Sequence, residues 1–161
     1  MDSQPPQQED VSAAAFPKFI PRPLAAALLI ALVLALELYG IRWGLPSTRN
    51  IESFHPDEWT VVEAARRVAP LVGQVNPGFY NYGSLYIFAL SFAFSLTGQQ
   101  DAGGALDPAQ KALLYLTARL VTVLFSLGTV LLTWRLGARL FGERPGQLSA
   151  ALLAVTPLWV I

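Results

Sequence analysis

Between Leu24 and Leu36 the chain contains nothing but Leu, Ala, Ile and Val, and the apolar character continues through Leu38 and Ile41 with Glu37 as the single charge. At about 1.5 Å per residue, a helix over 23–41 is long enough to cross a hydrocarbon core of about 30 Å. A cleavable signal peptide has the same order of charge then apolar run, and Lys18 and Arg22 precede this one. The run is long, however, and no small-x-small site follows it, which favours an uncleaved anchor. Composition agrees, since 53% of the 161 residues are hydrophobic and 14% charged. That balance is too apolar for an ordinary soluble domain. The expected class is an all-α integral membrane protein.

The segments around this anchor follow the same logic. Residues 1–22, with Gln, Pro, Ser and acids and no apolar period, read as a disordered cytosolic tail. Tyr39 and Trp43 suit the aromatic belt of a membrane surface, and Glu37 falls near the same interface. A second crossing is expected over 79–96, where Phe79-Tyr80-Asn81-Tyr82-Gly83-Ser84 leads into an apolar stretch. Tyr80 and Tyr82 serve there either as interfacial anchors or as contacts for a substrate head group. A third crossing is expected over 108–141. Asp107-Pro108-Ala109-Gln110 supplies an acid at the N-cap, proline at the first position and glutamine at the third, and Gly142 is placed to end the helix. Arg119 lies well inside this run, where an unpaired guanidinium is costly. It must snorkel, meet a partner or bind an anionic phosphate. Arg135 and Arg139 complement the negative end of the helix and anchor in head groups. A fourth helix is expected over 147–161, and the chain stops inside it, which reads as a truncated protein.

The loop over 42–78 holds the one concentration of chemically able residues, Phe54-His55-Pro56-Asp57-Glu58-Trp59. Proline followed at once by two acids marks a helix N-terminus, because proline loses no hydrogen bond there and carboxylates suit the positive end of the dipole. The helix should run from Pro56 to about Ala69, with Trp59, Val61, Val62, Ala65 and Val68 on its apolar side and Glu63 and Arg66 on its polar side. Asn76-Pro77-Gly78 marks a turn after it. Asp57 and Glu58 have two readings. They cap and complement the helix, or Asp57 is a general base or metal ligand assisted by Glu58 or His55.

Several classes are excluded. The net charge is zero and no basic cluster is interleaved with aromatics, which argues against nucleic acid. With no cysteine and one histidine, a thiolate or multi-histidine metal site is absent. Carboxylates remain for a divalent cation such as Mg, Mn or Ca. No Gly-rich phosphate loop, Walker lysine or G-x-S-x-G elbow is present. Charge does not give a simple topology. With a cytosolic tail and each run crossing once, Lys18, Arg22 and Lys111 fall inside, and Arg42, Arg49, Arg66, Arg67, Arg135, Arg139 and Arg144 fall outside, against the positive-inside rule. The orientation is reversed, or some arginines serve anionic ligands or lie on surface helices, or one run is not a simple crossing.

The order Phe54-His55-Pro56-Asp57-Glu58, then Asn76-Pro77-Gly78-Phe79-Tyr80-Asn81-Tyr82-Gly83-Ser84-Leu85, then Ala118-Arg119-Leu120 and Gly137-Ala138-Arg139-Leu140-Phe141-Gly142, resembles the N-terminal part of the polytopic GT-C glycosyltransferases. The similarity is to bacterial members akin to protein O-mannosyltransferases and aminoarabinose transferases. It implies a multi-pass helical bundle whose first extracytoplasmic loop carries amphipathic surface helices and an acidic motif at Asp57 and Glu58. It further implies transfer of a sugar from a polyprenyl-phosphate donor to a glycan, lipid or protein acceptor, at the outer side of the bacterial plasma (inner) membrane. Asp57 would be the acceptor's base or a metal ligand, with Glu58 beside it and His55, Tyr82, Arg66 and Arg119 as substrate-binding candidates. Aminoarabinose enzymes often carry a Lys-Pro-Pro-Leu-like run where this chain has Tyr82-Gly83-Ser84-Leu85, which speaks against aminoarabinose and a lysine-held phosphate. A fragment of such an enzyme should be inactive alone. The reading from a different class is a non-catalytic multi-pass membrane protein, a transporter segment or scaffold.

Overall fold

The structure is a computed structural model that describes residues 21–50, 56–69, 73–100 and 106–156. The expected tail over 1–20, His55 and the end of the fourth apolar run lie outside the described residues. Among the described residues there are five helices: α1 (Arg22–Tyr39), α2 (Pro56–Arg67), α3 (Ser84–Leu96), α4 (Pro108–Phe141) and α5 (Glu143–Ala154). Among the described residues there is no strand, only a bridge between Ala69 and Gln74. Two helices, α1 and α4, are long and apolar enough to cross a membrane.

Local chemistry explains where each helix starts and stops. The Asp107 side chain accepts from the Gln110 amide at 2.8 Å while the Gln110 side chain accepts from the Asp107 amide at 3.0 Å, so the expected capping box forms and α4 starts at Pro108. Gly142, at φ 95°, ends α4 in a conformation that favours glycine. Its next residue already begins α5, four positions before the expected start at 147. Glu143 suits the first turn there, and Pro145 is tolerated because first-turn amides have no intrahelical acceptor. The stretch expected to enter a helix at Phe79 does not do so until Ser84. Asn76 Oδ1 accepts from the Gly78 amide at 2.8 Å and from the Tyr80 hydroxyl at 2.6 Å, and Gly78 has φ 64°, so the chain is turned rather than helical. The resulting α3 has 13 residues. At about 1.5 Å per residue it measures about 20 Å, well short of the hydrocarbon thickness.

The helix α4 is the spine. Its N-terminal portion shares one core with the two short helices, in which Val62, Ala65 and Val68 of α2 and Ile87, Leu90 and Phe94 of α3 pack on Leu114, Tyr115 and Ala118. Its C-terminal portion shares a second core with Leu29 and Val33 of α1 and Ala150 and Ala154 of α5, around Val130. Arg66, expected on a polar face, is 6% exposed and lies in the first core. Its Nη1 is 3.1 Å from Glu63 Oε2 one turn back, which supplies the countercharge that burial demands. A buried knot ties α2 to α3: Ser91 Oγ donates to the Val68 carbonyl at 2.6 Å, and Gln100 Nε2 donates to the same carbonyl at 3.1 Å.

At the far end of α4, backbone replaces side chain. A Cβ on Gly146 would lie 2.5 Å from the Ala138 amide nitrogen and 2.8 Å from the Trp134 carbonyl oxygen, so α4 and α5 meet there as closely as glycine allows. Glu143 then accepts from Trp134 Nε1 at 3.1 Å and from Arg22 Nε at 2.9 Å, joining α4, α5 and the start of α1. Gly146→Ala should therefore destabilise the fold by about 1–3 kcal/mol through overpacking. Gly128→Ala, where an added Cβ meets nothing within 4 Å, should be neutral or gain up to about 1 kcal/mol from helix propensity. Unfolding of the two variants in the same detergent compares them directly.

Candidate functional site

The two cores meet at Arg119, and a cleft of about 650 Å³ opens there between α1, α2 and α4. The end of α1 and the turn after it supply Leu36, Glu37, Tyr39, Gly40, Ile41 and Trp43; α2 supplies Asp57, Glu58, Val61 and Val62; α4 supplies Ala118, Arg119, Thr122 and Val123; Tyr82 and Tyr86 close the side toward α3. The walls are mainly apolar. Polar groups converge on them from every element, as expected of a ligand site.

Arg119 is the hub of the cleft. Its Nε and Nη2 donate to the two carboxylate oxygens of Glu58 at 2.7 and 2.9 Å, a bidentate pair. Its Nη1 donates to the carbonyls of Ile41 and Trp43 at 2.8 and 2.7 Å. Those carbonyls belong to the turn that follows α1, so one guanidinium joins α1, α2 and α4. Both side chains of the pair are 15% exposed. Of the options the sequence left for Arg119, it is the partner that is seen, and Glu58 holds the same atoms that a phosphate would use.

Asp57, one residue before Glu58, is exposed and lines the cleft. Its carboxylate makes no hydrogen bond or ion pair with the described residues. Adjacent positions on a helix point about 100° apart. Fixing Glu58 on Arg119 therefore also fixes the direction from which Asp57 presents itself. Tyr82 lines the cleft with its ring 5.5 Å from that of Phe79. Tyr80 instead braces the Asn76 turn. Arg66 does not line the cleft; it is buried, with Nη1 on Glu63.

The polar groups that the sequence did not single out come from α3 and from lower on α4. Tyr86 Oη and Thr122 Oγ1 are 2.7 Å apart, and Ser126 Oγ donates to Glu37. Arg119, Thr122 and Ser126 follow one another at i, i+3 and i+7, which places them on a single face of α4. That spacing inside an apolar helix was a readable signal. The three positions take their partners from α2, α3 and α1 in turn.

Comparison with protein-family models, with curated proteins and with solved structures returns no match to this chain. A divalent cation can be tested against the donor set. Among the described residues no three His, Asp or Glu side chains come together, and Glu58 has both oxygens on Arg119. Among the described residues, Asp57 alone does not make a cage for a metal.

Removing one member of this pair leaves the other charge uncompensated. Arg119→Leu should cost on the order of 3 kcal/mol, while Glu58→Leu combined with Arg119→Leu should recover much of that loss. A double-mutant cycle on unfolding free energies measures the coupling.

Proposed function

We propose that the chain forms part of an inverting glycosyltransferase of the polytopic GT-C kind, which transfers a sugar from a polyprenyl-phosphate donor to a glycan, lipid or protein acceptor. The observation that carries this reading is Asp57, uncommitted at a cleft with apolar walls, beside a Glu58 that Arg119 holds rigidly. A base has to be free to accept a proton and still be positioned, and this arrangement supplies both. Asp57 takes the proton of the acceptor hydroxyl as the hydroxyl oxygen bonds to the anomeric carbon. The bond from that carbon to the phosphate oxygen breaks, and its electron pair leaves with the polyprenyl phosphate. Glu58 and Arg119 are positioning residues in this scheme.

The membrane orientation supports the same reading. Arg22 pairs with Glu143 at the start of α5, while the turn after α1 meets Arg119, so α1 and α4 run antiparallel. The segment of α4 from Arg119 to Phe141 is about 34 Å long at about 1.5 Å per residue, close to one bilayer. Most of α3 packs on Leu114, Tyr115 and Ala118, before this segment, and its first turn alone reaches Thr122 and Phe125; we place most of α3 outside the hydrocarbon. With α3 removed from the crossings, Arg22, Arg135, Arg139 and Arg144 share one side. Placing them in the cytoplasm balances Lys18, Arg22, Arg135, Arg139 and Arg144 there against Arg42, Arg49, Arg66, Arg67 and Lys111 on the other side, so the outside excess counted from the sequence falls to parity. Asp57 then faces the outside of the bacterial plasma membrane.

Two measurements test these statements. In membranes that hold the whole enzyme of which the chain is proposed to be part, supplied with polyprenyl-phosphate sugars, Asp57→Asn should lower transfer at least about 100-fold at unchanged protein level. Normal transfer by the variant would leave Asp57 and Glu58 as helix-terminal residues of a non-catalytic membrane protein, and loss of wild-type transfer with a chelator would assign a metal. For orientation, the chain has no native cysteine, so single cysteines report cleanly. Gln74→Cys and Thr97→Cys should react with an impermeant maleimide from the same side, and Arg144→Cys from the other. Labelling of Gln74→Cys together with Arg144→Cys, with Thr97→Cys reacting from the other side, would make α3 a crossing.

A further inference from the structure

The α1 wall of the cleft holds a carboxylate to which the proposed reaction gives no role. Glu37 lines the cleft, accepts a hydrogen bond from Ser126 Oγ on Oε1, and has a second oxygen that takes no hydrogen bond from the described residues. Nearer to Arg119, the Thr122 hydroxyl is 3.1 Å from the Ala118 carbonyl and 2.7 Å from Tyr86 Oη. A hydroxyl has a single proton. Thr122 gives its own to the carbonyl, so Tyr86 donates to Thr122 and keeps only lone pairs for the cleft. Arg119 directs four hydrogen bonds at Glu58 and the Ile41 and Trp43 carbonyls. Where α1, α3 and α4 meet, what remains facing the cavity is a set of acceptors, with Tyr39, Trp43 and Tyr82 lining it as well.

Charge points the same way. Glu37, Asp57 and Glu58 are three carboxylates against the one guanidinium of Arg119 among the lining residues. A phosphate placed here would meet anions and lone pairs. A group that donates hydrogen bonds and carries no negative charge would find partners, with its apolar portion against Leu36 and Val123.

We infer that Glu37, braced by Ser126, is a binding residue for the hydrogen-bond-donating, non-anionic head group of an amphiphile, either a sugar hydroxyl or a protonated amine. This rests on the proposed function in taking the cleft as the substrate site, and it assigns that cleft to the hydroxylated or amino-bearing moiety rather than to the phosphate. The step from Arg119 to Ser126 is about 10 Å along α4. The cleft thus descends from the polar end of the site toward the bilayer, the path an amphiphile takes.

The test is titration calorimetry on the chain in phosphatidylcholine nanodiscs, with empty nanodiscs subtracted, using n-octyl β-glucoside, n-octylammonium and n-octyl phosphate. Saturable binding of the glucoside or the ammonium is expected, weaker by about 10-fold or more in Glu37→Leu, with octyl phosphate the poorest of the three in the wild type. Glucoside binding identifies a hydroxyl and ammonium binding an amine. Glu37→Gln keeps the acceptor for Ser126 and so separates folding from recognition; it should weaken the ammonium more than the glucoside. The inference is overturned when neither probe saturates, when affinity is indifferent to both substitutions, or when the phosphate binds tightest. Since no turnover is involved, Glu37-dependent binding without sugar transfer removes only the proposed function. Intact transfer with binding indifferent to Glu37 removes only this inference.

Discussion

The fold depends on how one guanidinium is satisfied within an otherwise apolar helix. Arg119 sits where the two cores divide, and an uncompensated charge there would cost several kcal/mol. The chain meets that demand from two directions: the Glu58 carboxylate closes on one edge of the guanidinium, and the carbonyls of Ile41 and Trp43 take the protons of Nη1. Each of these partners has its own need. The carbonyls follow the end of α1, where backbone acceptors have no further helical donor, and Glu58 is a partly buried carboxylate. One contact therefore settles three unfavourable groups at once, and in doing so places α1, α2 and α4 around a common point.

The two ends of α4 solve the helix packing problem with different chemistry. Near Arg119 the partners are held by polar pairs at helical spacing, with Glu58 on 119, Tyr86 on 122 and Glu37 on 126. Polar pairs are directional and leave room between helices, and the cleft occupies that room. Near Gly142 the partners are held by close backbone approach of Gly137 and Gly146, which leaves none. A hydrophobic driving force between apolar helices is weak in lipid. Directional pairs at one end and tight packing at the other therefore specify the geometry better than uniform leucine contacts would. The cleft lies at the end that can hold a space.

Much of this was legible in the sequence where the signal is local. The capping box at Asp107 and Gln110, the stop at Gly142, the proline-acid start of α2 and the length of α1 each depend on a few neighbouring residues, and each is seen. Where tertiary partners decide, the sequence misled. Arg66 was expected on a polar face because it is charged, but Glu63 one turn back neutralises it and allows α3 to cover it. The apolar stretch after Phe79 suggested a full crossing, yet the Asn76 and Gly78 turn consumes its first residues. At the candidate site, Asp57 and Glu58 were readable as paired acids at a helix start, but not how contacts are divided between them. That division depends on Arg119, some sixty residues along the chain, and no local pattern states which of two adjacent acids it will take.

The division itself has a physical logic. Two adjacent first-turn carboxylates gain equally from the helix dipole, so the dipole cannot make one structural and the other reactive. A bidentate partner can. Once Glu58 is locked, the N-terminal turn of α2 loses the freedom to rotate or fray, and Asp57 inherits a fixed direction without spending its own oxygens. A base held by direct contacts of its own would be stabilised as the anion and weakened as a proton acceptor. Holding the neighbour instead keeps the orientation and leaves both Asp57 oxygens without a hydrogen bond from the described residues. Because Asp57 is exposed, water satisfies its carboxylate while the cleft is empty, and its oxygens stay available at the rim at no cost in burial.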